Sequence, residues 1–165
     1  MTRTLILMRH AKSSWDDPSL RDLDRPLNAR GRASAMAMGA WLRDNGYAPE
    51  AAVSSNSKRT AETFEGLGFD IPVTFTSDLY HAGPDMMLEV LRAQSATTVL
   101  MLGHNPGIAE FAYRLVSTPP GHARFDDYPT CATCVIHFDT DAWTQTGWRS
   151  GQPVDFAIPR EVIGD

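Results

Sequence analysis

The chain contains no apolar run approaching the ~20 residues of a membrane-spanning helix, and it has no basic excess: 15 Lys and Arg stand against 20 Asp and Glu, for a formal net charge of −5. That balance argues against bulk nucleic-acid binding, which rests on a cationic surface. Lysine itself is scarce, since Lys12 and Lys58 are the only lysines among the fifteen basic residues. The apolar segment after Arg3, from Leu5 to Met8, is too short for the core of a secretory signal. A cytoplasmic protein without membrane association is expected.

Cysteine is equally sparse. Cys131 and Cys134 form one CxxC with no second pair to complete a zinc site. The apolar β-branched residues after Cys134 indicate a strand rather than the helix start that activates a redox thiol. Positions three apart on a strand face opposite sides, so the sulfurs diverge. His122 and His137 are no better placed to complete a ligand set. Reduced structural thiols are expected.

What is present suits a globular chain. Hydrophobic residues make up 42% and charged residues 21%, a balance that excludes disorder. At 165 residues, one domain spanning 1–165 is expected. No repeat or low-complexity tract interrupts it. Strand signals fall at 3–9, 51–54, 72–77, 97–103 and in two C-terminal runs, CVIHFD and VDFAI. Helical periodicity falls at 32–46, 57–68, 83–94 and after Gly107 through Val116. Loops are expected at 16–30 and 118–130. Strands alternating with helices predict an α/β class fold, a three-layer α/β/α sandwich around a mostly parallel sheet.

Two apolar strands end abruptly in polar residues. LILM runs into Arg9-His10, and VLML into Gly103-His104-Asn105-Pro106-Gly107. In open α/β sheets, ligands bind beyond the carboxyl ends of strands, so both imidazoles are expected in one crevice. A third strand leads to Ser55-Asn56-Ser57-Lys58-Arg59, where two cations occupy the first turn of a helix. Cations there oppose the helix dipole, an arrangement that makes sense when an anion is bound. Taken singly, each of these features is ordinary surface or turn chemistry. Together, at three successive strand-to-helix junctions, they predict a cationic pocket unsuited to a metal ion and suited to a phosphoryl group. A neutral imidazole can attack phosphorus there as a nucleophile. No cofactor is called for.

These residues, with RHAKSSW, RPLNARG, SSNSKRTAET, LYHAG and GHNPG, resemble the histidine phosphatase superfamily, which includes the phosphoglycerate mutases. Within it they resemble the small SixA-type phosphohistidine phosphatases. The resemblance runs from residue 3 to about residue 115. It implies a phosphoglycerate-mutase-like fold, His10 as the residue phosphorylated, Arg9 and Arg59 holding phosphoryl oxygens, and His104 as the second pocket imidazole. Ala11 departs from the usual Arg-His-Gly triplet, and Asp16 stands where mutase-type members have Asn. Trp15 either lines the entrance or packs.

Larger relatives place a glutamate general acid near Leu79-Tyr80-His81. This chain offers His81 there and Asp85 beyond it, neither convincingly placed. A phosphohistidine leaves as an imidazole that already carries a proton, whereas an alkoxide needs an acid, worth about 10²–10⁴-fold. The expected substrate is therefore phosphohistidine on a partner protein. A small phosphorylated metabolite is the alternative, and a non-catalytic phospho-ligand module is the more distant one. His10 is expected to show its own titration in the histidine range, shifted toward the neutral form by neighbouring arginines.

Overall fold

The computed structural model describes residues 1–163. Strand β1 (Thr2–Arg9) lies near the middle of the sheet, and its burial explains the unbroken apolar run. Successive side chains on a strand point to opposite faces. Leu5 and Leu7 therefore enter one core, while Ile6 and Met8 enter another. All four are fully buried, each stabilising the fold by about 1.5–3 kcal/mol relative to exposure. A strand apolar on both faces needs helices on both sides, which makes three layers.

The remaining elements are α1 (Ala29–Asp44), β2 (Ala51–Ser55), α2 (Lys58–Leu67), β3 (Val73–Thr76), α3 (Pro84–Arg92), β4 (Thr98–Gly103), α4 (Gly107–Leu115), β5 (Thr133–Asp139), β6 (Gln152–Ala157) and α5 (Pro159–Ile163). Strand order is β3-β2-β4-β1-β5-β6. The first four strands pair in parallel, and β5 and β6 join antiparallel. Met87, Leu91, Phe111 and Leu115 of α3 and α4 cover the Leu5 face, and Ala35, Met38, Leu42 and Leu67 of α1 and α2 cover the Ile6 face.

Several boundaries differ from expectation for local reasons. Helix α1 starts at Ala29 because Asn28 caps it, its side chain accepting from Gly31 N–H at 2.8 Å. The 16–30 loop contains a short 3₁₀ turn over Asp22–Asp24. Helix α2 ends on Gly68, whose left-handed backbone suits a residue without Cβ. Helix α5, absent from the sequence expectation, is five residues long, too short to show helical periodicity. No helix among the described residues is long and apolar enough to cross a membrane.

Candidate active site

Register brings the two histidines together. β1 and β4 run parallel with Arg9 opposite Gly103, so His10 and His104 leave the sheet side by side. Their ring centroids are 5.2 Å apart, and His10 N–H donates to the Gly103 carbonyl at 3.1 Å. From the neighbouring β2, the chain turns through Ser57, which caps α2 by accepting from Thr60 N–H at 3.2 Å. Arg59 follows in the first turn and is only 2% exposed. Of the two cations at that helix end, Arg59 thus faces the imidazoles, while Lys58 is exposed and outside the cavity lining.

The motif around Arg59 is a scaffold. Ser55 Oγ lies 2.8 Å from His104 Nε2. Glu62 accepts from Leu27 N–H at 2.8 Å, fixing the loop after His10. Thr63 Oγ1 donates to the Arg59 carbonyl at 2.7 Å and accepts from Ala11 N–H at 2.9 Å. Ala11 is fully buried and keeps a negative φ, so its Cβ is accommodated.

Partners assign the proton on His10. Nδ1 is 2.7 Å from the Ala11 carbonyl, which can only accept, so Nδ1 carries the hydrogen and Nε2 keeps its lone pair. The ring is neutral. Burial lowers its pKa to about 3, opposed by the Ala11 hydrogen bond and reinforced by the charges of Arg9, Arg59 and Arg25. His104 falls to about 2, again through burial first and then the charges around it. The expectation that His10 titrates in the histidine range is thereby corrected, because desolvation moves the transition far below it. His104 Nδ1 lies 3.3 Å from Arg59 Nη2. Arginine can only donate, so His104 Nδ1 accepts from it and Nε2–H donates to Ser55 Oγ.

Arg9 donates through Nη1 to the Tyr128 carbonyl at 3.2 Å. Nε of Arg9 and Nε of Arg59 are both buried and unpaired among the described residues. Orphaned guanidinium donors beside one cavity call for an acceptor with several oxygens. That cavity, of about 310 Å³, is lined by Arg9, His10, Arg59 and His104, with Trp15 and Arg25 at its rim.

Opposite Arg59 stands a carboxylate that the sequence did not single out. Asp22 Oδ2 accepts from Arg59 Nη2 at 2.9 Å, Tyr80 OH at 2.5 Å and His81 Nε2 at 3.0 Å. Oδ1 accepts from Arg25 Nη2 at 3.1 Å. Burial alone would raise the Asp22 pKa, but hydrogen bonds from Tyr80, His81 and Arg59 and the Arg59 charge hold it well below the usual carboxylate range.

Of the two candidate acids, His81 reaches the pocket and Asp85 does not. The His81 ring is 5.0 Å from His104, held on a left-handed backbone at φ 53°. The Asp85 side chain is 90% exposed and points to Arg114 at 3.8 Å. At the start of α3 it serves that helix's dipole, so Asp85 is removed from the site. Trp15 is at the entrance, 75% exposed, with the Arg25 guanidinium 3.6 Å from its ring centroid. Asp16 is exposed and outside the cavity lining.

The C-terminal part contributes support that no motif announced. Tyr128 and Cys131 both adopt positive φ, 45° and 63°, a backbone that L-residues rarely take. The Tyr128 carbonyl receives Arg9 and Asn105, and Cys131 N–H donates to the His10 carbonyl at 2.9 Å. Cys131 and Cys134 are free, buried and packed into opposite cores, Cys134 from β5 and Cys131 from the left-handed turn before it rather than from a continuous strand. Burial raises both thiol pKa values, Cys131 to about 12.

Comparison with known proteins agrees with this geometry. The model of the histidine phosphatase superfamily (branch 1) matches residues 5–82. An uncharacterized protein of Mycobacterium leprae is 33% identical over 162 residues, covering 93% of this chain and 100% of the relative. A candidate phosphohistidine phosphatase SixA from Nakamurella multipartitia superposes with a TM-score of 0.84 at 30% identity, over 96% of this chain and 97% of that one. A second candidate SixA, from Agrobacterium tumefaciens, gives 0.78 at 25% identity, over 95% and 99%. The sandwich is the phosphoglycerate-mutase-like one these structures share. With its paired strand-end histidines and full-length similarity to those proteins, the chain belongs to the histidine phosphatase superfamily, in the SixA-type branch.

Proposed function

We propose that the protein is a phosphatase that passes a phosphoryl group through His10, with phosphohistidine on a partner protein as its substrate and one domain, 1–165, as its working unit. The observation that carries the reading is the His10 tautomer: with Nδ1–H held by the Ala11 carbonyl, the Nε2 lone pair is left for phosphorus. In the first step a bond forms between Nε2 and phosphorus while the substrate's P–N bond breaks, its electron pair leaving with the substrate imidazole. In the second, water attacks phosphorus, the Nε2–P bond breaks, and inorganic phosphate departs with the water's oxygen. Arg9, Arg59 and His104 hold the oxygens on which charge builds, which is the main catalytic contribution available to phosphoryl transfer. The pocket's cations supply that stabilisation, and no metal enters the proposal.

Leaving-group chemistry supports the P–N substrate. Tyr80 and His81 both direct their hydrogens to Asp22, and Asp22 is ionised. In this arrangement neither Tyr80 nor His81 presents a free proton to an alkoxide, which phosphohistidine does not need. The test is turnover of a phosphohistidine-bearing protein against an alkyl phosphate, in wild type and His10→Ala. Preference for phosphohistidine, abolished by the substitution, is expected. Preference for the alkyl phosphate would overturn the substrate class and favour a small metabolite.

A further inference from the structure

A second cleft opens beside the catalytic cavity. It has a volume of about 260 Å³ and is lined by Lys12, Arg30, Arg124 and Arg160, with no carboxylate in its wall. Lys12 and Thr130 line both cavities, so the two are contiguous. A further hollow of about 170 Å³ continues the cleft and shares Arg30, Ser34, Pro159 and Arg160 with it. With Arg124 held by Asp127, the three cations Lys12, Arg30 and Arg160 along one groove still stand out in a chain of net charge −5.

The fold builds this cluster deliberately in the steric sense. Helix α1 packs its first turn onto the Lys12 backbone: a Cβ at Gly31 would lie 2.0 Å from the Lys12 carbonyl oxygen. Only glycine permits that approach, and it brings Arg30 alongside Lys12. Arg30 then sits in the first turn of α1, where its charge opposes the dipole, the same contradiction found at Arg59. Arg160 arrives from α5 across the groove. Asp127 neutralises Arg124 at 2.9 Å, which leaves three groove cations for a ligand, and Glu161 is committed to His122 at 2.9 Å. Among the described residues, Lys12, Arg30 and Arg160 form no ion pair.

We infer that this groove is a docking site for an acidic segment of the phosphorylated partner protein, seated so that its phosphohistidine enters the neighbouring cavity. The inference rests on the phosphatase reading proposed above and adds to it a rule for partner choice. A second phosphate on a small molecule has the same anionic chemistry, but one phosphate needs only one such cavity. The groove runs through two, with Arg30 and Arg160 spanning both. Like-signed charge along a cleft also steers an acidic partner and rejects a basic one.

Three phosphohistidine peptides, identical except for Asp/Glu-rich, neutral or Lys-rich flanks, provide the test. Wild type is expected to prefer the acidic flank, more so at low salt. In the double variant Arg30→Gln/Arg160→Gln the acidic-to-neutral ratio of kcat/KM falls by roughly five- to twentyfold, as expected for losing two solvent-facing charge contacts. An equal ratio in both proteins would overturn the inference while leaving the phosphatase reading intact. Binding of the unphosphorylated Asp/Glu-rich peptide, followed by fluorescence anisotropy, needs no turnover. It should survive in His10→Ala and weaken in the double variant, and it supports the groove even if no phosphohistidine is hydrolysed. Discrimination in favour of an alkyl bisphosphate, with none among the peptides, would overturn the assignment to a protein partner.

Discussion

Asp22 and Arg59, 37 residues apart in sequence, are joined twice: Arg59 Nη1 donates to the Asp22 carbonyl at 2.6 Å and Nη2 to its carboxylate at 2.9 Å. Both outer nitrogens of the guanidinium that faces His104 are thus engaged by one residue of the 16–30 loop. A phosphoryl group that takes its oxygens to Arg59 meets the Asp22 negative charge at the same place. Asp22→Asn is therefore expected to tighten binding of inorganic phosphate or tungstate by roughly three- to tenfold, an effect kept modest by solvent at the half-open carboxylate. Titration calorimetry reads it directly. Unchanged affinity would show that the carboxylate does not compete.

Acid should weaken the fold through the two buried imidazoles. Both have folded-state pKa values, about 3 and about 2, far below the ordinary ~6.5 of the unfolded chain. Between those limits the unfolded chain binds protons that the folded one refuses. Stability is therefore whole above about pH 6.5 and falls as pH drops toward 3, by up to about 1.4 kcal/mol per pH unit for each ring. Urea midpoints between pH 7 and 4.5 should drop less in His104→Gln than in wild type. In NMR, the His10 ring should show no titration between pH 5 and 8.

His81 decides whether an acid is present. With its Nε2 hydrogen on Asp22, His81→Ala should leave phosphohistidine turnover within about threefold of wild type, since that substrate asks for no general acid. A selective collapse of alkyl-phosphatase activity in the variant would identify His81 as the proton donor and weaken the P–N preference.

Gly107 holds α4 against the His81 loop, for a Cβ there would lie 1.8 Å from the Ala82 carbonyl oxygen. Gly107→Ala must push that backbone aside. A loss of about 1–3 kcal/mol in urea unfolding is expected, as for other overpacked sites. A variant as stable as wild type would show that the His81 loop yields freely.

The parts of this molecule that were legible in sequence are those written in consecutive residues. The apolar run from Leu5 to Met8, broken at Arg9-His10, and its echo before His104 disclosed two neighbouring strands with their reactive ends together. Arg59 drew attention because its charge contradicts a local rule, and it lines the cavity, whereas Lys58 beside it is exposed and outside that lining. Asp22 left no such mark. It is one of several acids in a charge-dense loop, and its partners lie 37 residues away at Arg59 and 59 residues away at His81. Tyr128 and Cys131 were equally silent, because strained backbone at non-glycine residues has no sequence signature. Asp85 misled for the opposite reason: a helix-start acid close to a pocket in sequence faces solvent in space.

Phosphorylated His10 is the central claim, and trapping it is the most direct measurement. Rapid mixing with a phosphohistidine protein, quenching in alkali and mass spectrometry of the digest should find a phosphoryl group on His10 in wild type and none in His10→Ala. Turnover without any label at His10, or label on another residue, would contradict the account.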